Sequence, residues 1–495
     1  MRLARLVAFG IALGVPVKAG AYEFHIASSS VGQGYQVRWL RLSERDRWLN
    51  RRRFTQSLRL DVWDILAPAY DPGYPDQLRR APVDLYFTSS LRFDNDFGEY
   101  ADGTITHDEA GVELRDAART LVPELDQDTL QLDMPYAYLG GRRLGGWLDF
   151  RLGRQLEVQT FDWYSFDGLT LTAHTPFYLA LEAHGGLVVR SSSLWGSSAH
   201  EPDGTEDADC RRVESGGSTW VASDRCAQRH ALMPGFGVAL ESEGLRFVHA
   251  RVAYRRAQSR TSDDFPVGTP AWGVNEEKLS GDLRGSFFAG SIEPFLAGRY
   301  DLVLGLVDDA EAGVRLALGN HALTPAAAYS YPSFDADSIF NVFASEPYTD
   351  LRLGYDVWPW RGHFRGFART YVRRFEPTAT AVGVTLGGQL AYQRGRARLD
   401  AFHDVGHGGV RVGTDLSGDA WIAPDLQLEG RLTLVAFDDE LADLSGTTFG
   451  AQAGARWLLQ EHVALHFIAE ENSNHFDRSQ FRLMAIMDFA FTPEI

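Results

Sequence analysis

The sequence predicts an all-β fold: a single transmembrane antiparallel up-and-down β-barrel with an even number of strands, about 18 to 22. Three observations support this prediction. Apolar and polar residues alternate with period two through most of the chain, the alternating runs are long, and tight turns alternate with long polar loops.

The alternation is clearest between residues 426 and 436, where leucine, glycine and alanine occupy every second position. The residues between them, among them Gln427, Glu429 and Arg431, are mostly polar. A period of two gives a strand one apolar face and one polar face. The same pattern recurs at 83–88, 382–393, 449–459, 463–470 and 481–491.

The length of these runs indicates a membrane barrel. They have about 9 to 13 residues, whereas strands of soluble proteins usually have about 5 to 6, and a tilted strand of about 9 to 11 crosses a bilayer. Phe449 and Trp457 lie near the two ends of one apolar face, as do Phe481 and Phe491. Aromatic residues in these positions are typical of the interfacial girdles of outer-membrane barrels.

The connections predict short periplasmic turns on one rim and long extracellular loops on the other. Candidate turns are 174–176, 243–244, 319–321, 394–395 and 460–461, and the long loops are 95–128, 191–231, 258–277, 332–348 and 438–446. A stretch around 66–82 is a long connection on the short-turn side. We also expect a short helix near 108–122.

Residues 1–21 have the order of a secretory signal peptide. Arg2 and Arg5 precede an apolar run at 6–17, and small residues follow at 19–21. Cleavage after Ala21 leaves 45 basic against 66 acidic residues, which indicates no basic surface for nucleic acid. The mature chain is then predicted to have three parts: a short N-terminal periplasmic arm, the barrel and a C-terminal tail, at 22–34, 35–491 and 492–495.

The two cysteines, Cys210 and Cys226, lie 16 positions apart in a polar stretch. In an exported protein such a pair predicts a disulfide that closes a loop, because the compartment beyond the inner membrane is oxidising. A metal-binding pair is the alternative, but no second cysteine pair accompanies them and no histidine lies between them.

Composition and motifs exclude several classes of protein. Beyond the N-terminus no apolar stretch reaches the roughly 18 residues of a helical membrane span. The chain has no GxSxG elbow, no HExxH helix, no Walker-type loop and no GxGxxG after a strand. We therefore expect no enzymatic activity, no catalytic residues, no bound metal and no cofactor. His403, Asp404 and His407 form an HDVGH stretch that we interpret as an incidental rim cluster.

The mature chain as a whole resembles a Gram-negative outer-membrane barrel. LDFRLGRQ at 148–155, followed by FDG at 166–168, resembles strands of porins and alginate-export-type barrels. The terminal strand FRLMAIMDFAF at 481–491 resembles the C-terminal signal read by the barrel-assembly machinery, except that residues 492–495 follow its last phenylalanine. The resemblance implies location in the outer membrane, with that machinery, outer-membrane lipid and lipopolysaccharide as partners.

Arginine dominates the cationic residues, with 46 Arg against two Lys, and recurs on the polar faces of successive strands. The densest cluster is WRGHFRGFARTYVRRF, and our candidates for the solute path are Arg361, His363, Arg365, Phe367, Arg369, Tyr371, Arg373, Arg431 and Arg456. Guanidinium groups attract anions and sugar hydroxyls, and aromatic rings offer stacking faces. The alternative is that arginine–carboxylate pairs brace the wall. We expect few acids beside the cluster at 361–373.

These features predict an outer-membrane channel of the porin type, for passive or selective passage of small solutes, with anions or carbohydrates favoured. One alternative is the outer-membrane conduit of an exopolysaccharide export system, which would work with a periplasmic partner. A second alternative is a surface adhesion or structural barrel that acts through the loop 191–231.

Overall fold

The computed structural model describes residues 23–39, 47–65, 84–98, 130–158, 161, 163–189, 233–261, 271–331, 346–439, 444–474 and 479–492. The strands in these ranges form one sheet of 22 members. This confirms the predicted all-β barrel and its even strand number. In these ranges no helix has the length and hydropathy that a helical membrane span requires.

The strands are 9 to 17 residues long. They are β1 (Glu23–Trp39), β2 (Arg47–Trp63), β3 (Asp84–Gly98), β4 (Leu130–Leu144), β5 (Leu148–Val158), β6 (Trp163–His174), β7 (Leu179–Val189), β8 (Pro234–Ser242), β9 (Val248–Thr261), β10 (Ala271–Gly285), β11 (Ile292–Asp301), β12 (Leu306–Leu318), β13 (His321–Ser330), β14 (Tyr348–Trp360), β15 (Phe364–Phe375), β16 (Thr380–Tyr392), β17 (Gly395–Gly406), β18 (Gly409–Ala423), β19 (Leu426–Asp439), β20 (Leu444–Gln460), β21 (Val463–Ser473) and β22 (Gln480–Phe491).

Each strand pairs antiparallel with the next strand in the chain, and the sheet closes where β1 pairs with β22. The closing register runs from Ile26 opposite Phe491 to Tyr35 opposite Arg482. Strands about 4.8 Å apart and tilted by about 40° give a 22-stranded wall a circumference of about 140 Å and a backbone diameter of about 44 Å.

The period-two alternation separates the two faces of this wall. Leu181 and Leu187 of β7 point outward, whereas Glu182 points inward, and the same division holds around the barrel. The exposed leucine, valine and phenylalanine side chains of the strands lie mainly on the outer face. The wall is one layer thick, so lipid rather than a second protein layer covers its apolar face.

The strand ends define two rims. We call one the short-turn rim, because its connections in the described residues have two to six residues; they are 145–147, 175–178, 243–247, 286–291, 319–320, 361–363, 393–394, 424–425 and 461–462. The strands β2 and β3 are joined on this rim through 64–83, the long connection expected from the sequence. The opposite, long-loop rim carries the connections 99–129 and 190–233.

Several predicted boundaries were wrong. The expected N-terminal arm at 22–34 lies largely within the barrel, because β1 begins at Glu23 and hydrogen-bonds to β2 and β22. The loop predicted at 258–277 is shorter, since β9 continues to Thr261 and β10 begins at Ala271. The predicted signal peptide, the helix near 108–122 and the pair Cys210–Cys226 lie outside the described residues.

Candidate functional site

Two arginines of β15 share one carboxylate of β14 on the inner wall. Arg365 donates from Nε and Nη2 to Asp356 Oδ1 at 2.9 and 2.6 Å. Arg369 donates from Nη2 to both oxygens of Asp356, at 2.9 and 2.8 Å. Asp356 is buried beneath them. The three side chains meet because the antiparallel register places Asp356 opposite Phe367, between the two arginines.

A second carboxylate, Asp350, binds the inward-facing arginine nearest the long-loop end of β15. Arg373 binds Asp350 with two parallel hydrogen bonds, from Nε at 3.1 Å and from Nη2 at 2.9 Å. Arg352 also donates to Asp350, at 2.9 Å from Nη2. The expectation that few acids accompany the cluster was therefore wrong. The acids lie on the neighbouring strand, which the sequence around 361–373 does not reveal.

The aromatic rings of β15 lie over glycines of β16. Phe367 faces Gly387 and Tyr371 faces Gly383 in the strand pairing. A Cβ atom on Gly387 would lie 2.3 Å from Cζ of Phe367, and one on Gly383 would lie 2.1 Å from Cε1 of Tyr371. The two rings fit against the wall because these positions lack a side chain. Tyr371 is held there by its hydroxyl, which donates to Asp404 Oδ1 at 3.0 Å.

Arg361 and His363 lie in the turn that precedes β15 rather than on the strand. Arg361 donates to Asn320 Oδ1 at 2.7 Å and to the carbonyl oxygen of Gly319 at 2.8 Å, so it joins two adjacent turns of the short-turn rim. His363 packs its ring 6.0 Å from that of Trp360. These two candidates are at the barrel's rim, whereas the other five candidates of the cluster are on its wall.

One register of the sheet carries a row of inward arginines on β15, β17, β19 and β22. Arg365 is opposite Gln389, which is opposite Arg398; the line continues through Ser417, Arg431, Gln452 and Glu470 to Arg482. We call Arg365, Arg398, Arg431 and Arg482 the arginine row. The first three members are two strands apart, which is about 10 Å.

The arginine row crosses the height of the wall. Arg365 is the second residue of β15, beside the short-turn rim, and Arg482 is the third residue of β22, beside the long-loop rim. A row perpendicular to tilted strands climbs obliquely around a barrel, because the strands themselves lean from the axis. The row therefore follows a path from one mouth of the lumen to the other.

Carboxylates bind the two middle arginines of the row, Arg398 and Arg431, through the Nε atom of each guanidinium. Arg398 Nε donates to Asp400 at 2.7 Å, and Arg431 Nε donates to Asp415 at 2.7 Å. Within the described residues the terminal nitrogens of both arginines have no hydrogen-bond partner, and their side chains are 53% and 58% exposed. Each guanidinium is thus held through its Nε atom, which leaves its terminal nitrogens able to donate to a solute.

The tethered arginines surround a polar recess of about 320 Å³ on the inner wall. Arg396, tethered to Asp419 at 2.5 Å, supplies a third exposed guanidinium. The recess is lined by Gln389, Arg396, Arg398, Ser417, Arg431 and Gln452, together with acidic and glycine neighbours. Serine and the two amides add neutral donors and acceptors between the cations, a combination suited to carboxylate and hydroxyl groups.

Arg456 of β20 lies on the inner face but not in the arginine row. It is opposite Gln427 and His466, and among the described residues it forms no ion pair. His466 instead contacts Glu429, 3.0 Å from its carboxylate. Of the nine predicted site residues, the structure brings Arg365 and Arg431 into the row and places Phe367 and Arg369 beside its start.

Sequence reasoning missed Arg396 and Arg398 as site residues, although both stand at polar positions of an alternating strand. It also missed Asp356, Gln389 and Ser417. Period two gave the face of each of these side chains, but no signal in one sequence shows which residues of different strands become neighbours. That depends on the register.

The HDVGH stretch does not converge on one point. His403 points to the outer face, Asp404 points inward and binds Arg411 at 2.8 Å, and His407 lies in the turn after β17. Among the described residues no group of three or more histidine, cysteine or acidic side chains is arranged to hold a metal ion.

A closed antiparallel barrel with an apolar outer face and a charged inner face defines a transmembrane β-barrel of the outer-membrane class. No family model matches the chain, and no curated protein matches its sequence. Similar solved structures include OccK7 (OpdD) of Pseudomonas aeruginosa, OccAB2 of Acinetobacter baumannii and a BenF-like porin of Pseudomonas fluorescens Pf-5. Their identities to this chain are 10%, 8% and 9%, and their TM-scores are 0.42, 0.42 and 0.36. Each match covers 96% of this chain, and 100%, 98% and 99% of the other chain. We assign the class of protein from the barrel's own geometry.

Proposed function

We propose that this barrel is an outer-membrane channel for small solutes, with a preference for anions or carbohydrates. The supporting observation is the arginine row, which crosses the wall from rim to rim with exposed guanidinium forks at Arg398 and Arg431. A solute that carries carboxylate or hydroxyl groups could pass from one fork to the next across steps of about 10 Å.

The tethers suit passage rather than tight binding. Asp400 and Asp415 offset part of the positive charge of the row, so an anion is attracted to the arginines but is not bound tightly. Conduction needs sites that a solute enters readily and also leaves. The ring of Phe367, with the guanidinium carbons of Arg365, Arg369 and Arg398 5.2–5.8 Å from its centre, adds an apolar face for the carbon skeleton of a sugar or an aromatic acid.

Conductance of the refolded protein in a planar bilayer tests the channel. We expect ohmic single-channel steps, and a reversal potential in a salt gradient that shows anion preference. The variant Arg398→Gln with Arg431→Gln should shift that potential toward cation preference, because it removes two exposed forks of the row.

A matched control separates the row from net charge. Arg315→Gln with Arg411→Gln also removes two inner-wall arginines, each of which is paired with a carboxylate, at 2.7 and 2.8 Å. The row variant should move the reversal potential further than this control. Equal shifts would show that only net charge matters, and no shift in either variant would contradict an arginine-guided path.

The width of a 22-stranded wall and the full height of the arginine row also suit a conduit for an exported polysaccharide chain. This second candidate predicts a barrel that does not conduct until a periplasmic partner is added. Ohmic steps from the barrel alone would favour the diffusion channel. The adhesion alternative depends on the loop 191–231, which lies outside the described residues.

A further inference from the structure

A second recess lies on the inner wall, beside the seam where β1 pairs with β22. Its volume is about 370 Å³, and it extends from Arg456 of β20 to Ser90 of β3. These two strands are five spacings apart in the sheet, or about 24 Å. The recess is therefore a shallow groove across six strands rather than a compact pit.

Strand pairing fixes the direction of the lining side chains. Asp488 has the parity of Arg482 in β22, so it points inward like that member of the arginine row. Ser29 is opposite Asp488, and Ser57 is opposite Ser29. Ser90 is opposite the residue two positions after Ser57, so it also points inward. Because three inward serines lie on three adjacent strands, we call this site the serine recess.

Hydroxyl groups in the serine recess are available to a solute. Ser29 donates to Asp488 Oδ1 at 2.7 Å, whereas among the described residues the hydroxyls of Ser57 and Ser90 have no hydrogen-bond partner. A serine hydroxyl both donates and accepts, as a sugar hydroxyl does, whereas a carboxylate only accepts. Ala27 also lines the recess and leaves an apolar surface between the hydroxyls. This mixture suits the alternating hydroxyl and C–H groups of a sugar ring.

Two arginines border the serine recess without giving it a net positive charge. Arg59 pairs through Nε with Asp61 at 2.8 Å, and its side chain is 55% exposed. Arg456 is exposed and forms no ion pair in the described part of the chain. Asp61 and Asp488 offset these two cations. The recess therefore offers directed guanidinium donors without the attraction for free anions that an excess of positive charge exerts.

A cluster of three tyrosines continues the serine recess onto β4. Tyr136 is opposite Ser90, and its ring centre is 6.4 Å from that of Tyr138. The ring centre of Tyr138 is 6.2 Å from that of Tyr86. Among the residues that the structure describes, none of the three tyrosine hydroxyls has a hydrogen-bond partner. Each tyrosine thus adds an apolar ring and a hydroxyl that is available for hydrogen bonding.

We propose that the serine recess and the tyrosine cluster bind a linear neutral oligosaccharide. The inference rests on the proposed channel function, and it selects carbohydrate rather than a free anion at this part of the wall. The balanced charges argue against an anion, and a groove across six strands fits an extended chain better than a compact solute. Repeated hydroxyls and rings match the repeated hydroxyls and ring faces of such a chain.

Equilibrium binding of maltotriose and of cellotriose tests the proposal, with saturation-transfer NMR of the refolded barrel in a detergent without a sugar headgroup. Tyr136→Phe with Tyr138→Phe removes two hydroxyls and keeps both rings, so it should raise the dissociation constant about tenfold. The matched control, Tyr300→Phe with Tyr392→Phe, removes two hydroxyls from the outer face and should leave the dissociation constant unchanged.

A second pair of variants tests the guanidinium donors. Arg59→Gln with Arg456→Gln should also raise the dissociation constant about tenfold, because each arginine donates to the sugar. Arg315→Gln with Arg411→Gln removes two inner-wall arginines outside the recess and should leave it unchanged. Excess succinate should not displace either trisaccharide.

Absence of binding by both trisaccharides, or equal effects of the recess variants and their controls, would overturn the proposal. Displacement by succinate would also overturn it and would assign the serine recess to anions. Because binding is measured without current, a barrel that binds the trisaccharides but does not conduct contradicts only the channel proposal. A barrel that conducts but binds neither trisaccharide contradicts only this inference.

Discussion

The contact between Phe367 and Gly387 makes a sharp test of how the aromatic wall is built. The Phe367 ring occupies the space above Gly387, and three guanidinium groups surround the ring. In Gly387→Ala the new Cβ atom would lie 2.3 Å from Cζ of Phe367 and 2.3 Å from Oδ1 of Asp400. Both atoms are the far ends of side chains, so the ring should turn away from the wall while the sheet remains intact.

The expected loss of stability is about 2 kcal/mol, of which about 1 comes from overpacking and about 1 from weakened cation–π contacts. The adjacent Gly388 supplies the control. It points outward, and its added Cβ atom would lie 3.4 Å from the ring of Phe364, an ordinary contact. Gly388→Ala should therefore change the stability by less than about 0.5 kcal/mol, since alanine also lowers the entropy of the unfolded strand.

Urea titration of the barrel in lipid vesicles, followed by the heat-modifiable band on gels, measures both variants. Phe367→Ala removes the obstructing ring, so Gly387→Ala should lower the free energy of unfolding less in the Phe367→Ala variant than in the original protein. The difference, which is the coupling energy of the two substitutions, should be about 1 kcal/mol. Part of the destabilisation by Gly387→Ala should remain, because its Cβ atom would still lie 2.3 Å from Oδ1 of Asp400. Additive effects of the two substitutions, or equal effects at Gly387 and Gly388, would refute the proposed packing.

Three further predictions concern the wall. Gly168→Ala should destabilise the barrel by about 3 kcal/mol or prevent its assembly, because the added Cβ atom would lie 2.1 Å from the backbone oxygen of Gly185. Gly185→Ala should have little effect in the same urea titration, because its Cβ atom would lie 3.9 Å from the backbone oxygen of Gly235, an ordinary contact. Asp356→Asn should lower the free energy of unfolding by about 1–3 kcal/mol after allowance for solvent screening. The loss should be larger than for Asp415→Asn, because two arginines pair with Asp356 and one pairs with Asp415. Equal urea midpoints for the two variants would contradict this. The unboiled protein should migrate differently from the boiled protein on a gel, and identical mobility would count against a closed barrel.

Alternation predicted the architecture well because the sheet is a single layer with lipid on one side. Leu428, Leu432 and Leu434 had to point outward once Glu429 and Arg431 were assigned to the polar face, and they do. A hydrophobic pattern of period two carries this information within each strand, without reference to any neighbour.

The position of β1 was harder to predict. Its outer face carries Ser28, Ser30, Gly32 and Gly34, so the apolar signal is weak. What makes this segment a strand is the pairing on both sides, with β2 and β22, which closes the barrel. Tertiary hydrogen bonding here overrides a composition that suggested an arm.

The candidate site was predictable only in its chemistry. Arginine on polar faces indicated a charged lumen, but the alignment of Arg365, Arg398 and Arg431 depends on turn lengths and on the register that each turn sets. Arg361 shows in a second way that the alternation within one strand does not place a side chain in the site. It has the parity of Arg365, yet β14 ends at Trp360 and the turn carries Arg361 to the rim.

The pairing of β1 with β22 has a consequence for how the chain reaches its final state. Residues 26–35 meet residues 482–491, and joining segments that far apart in one chain carries a loop-closure entropy of about 5 kcal/mol. Until they meet, β1 and β22 each expose a full edge of backbone amide and carbonyl groups, which a lipid environment leaves without partners. Closure should therefore be a late and cooperative step, in which the ten residue pairs of the seam form together, and loss of the last strand would leave the barrel with two open edges.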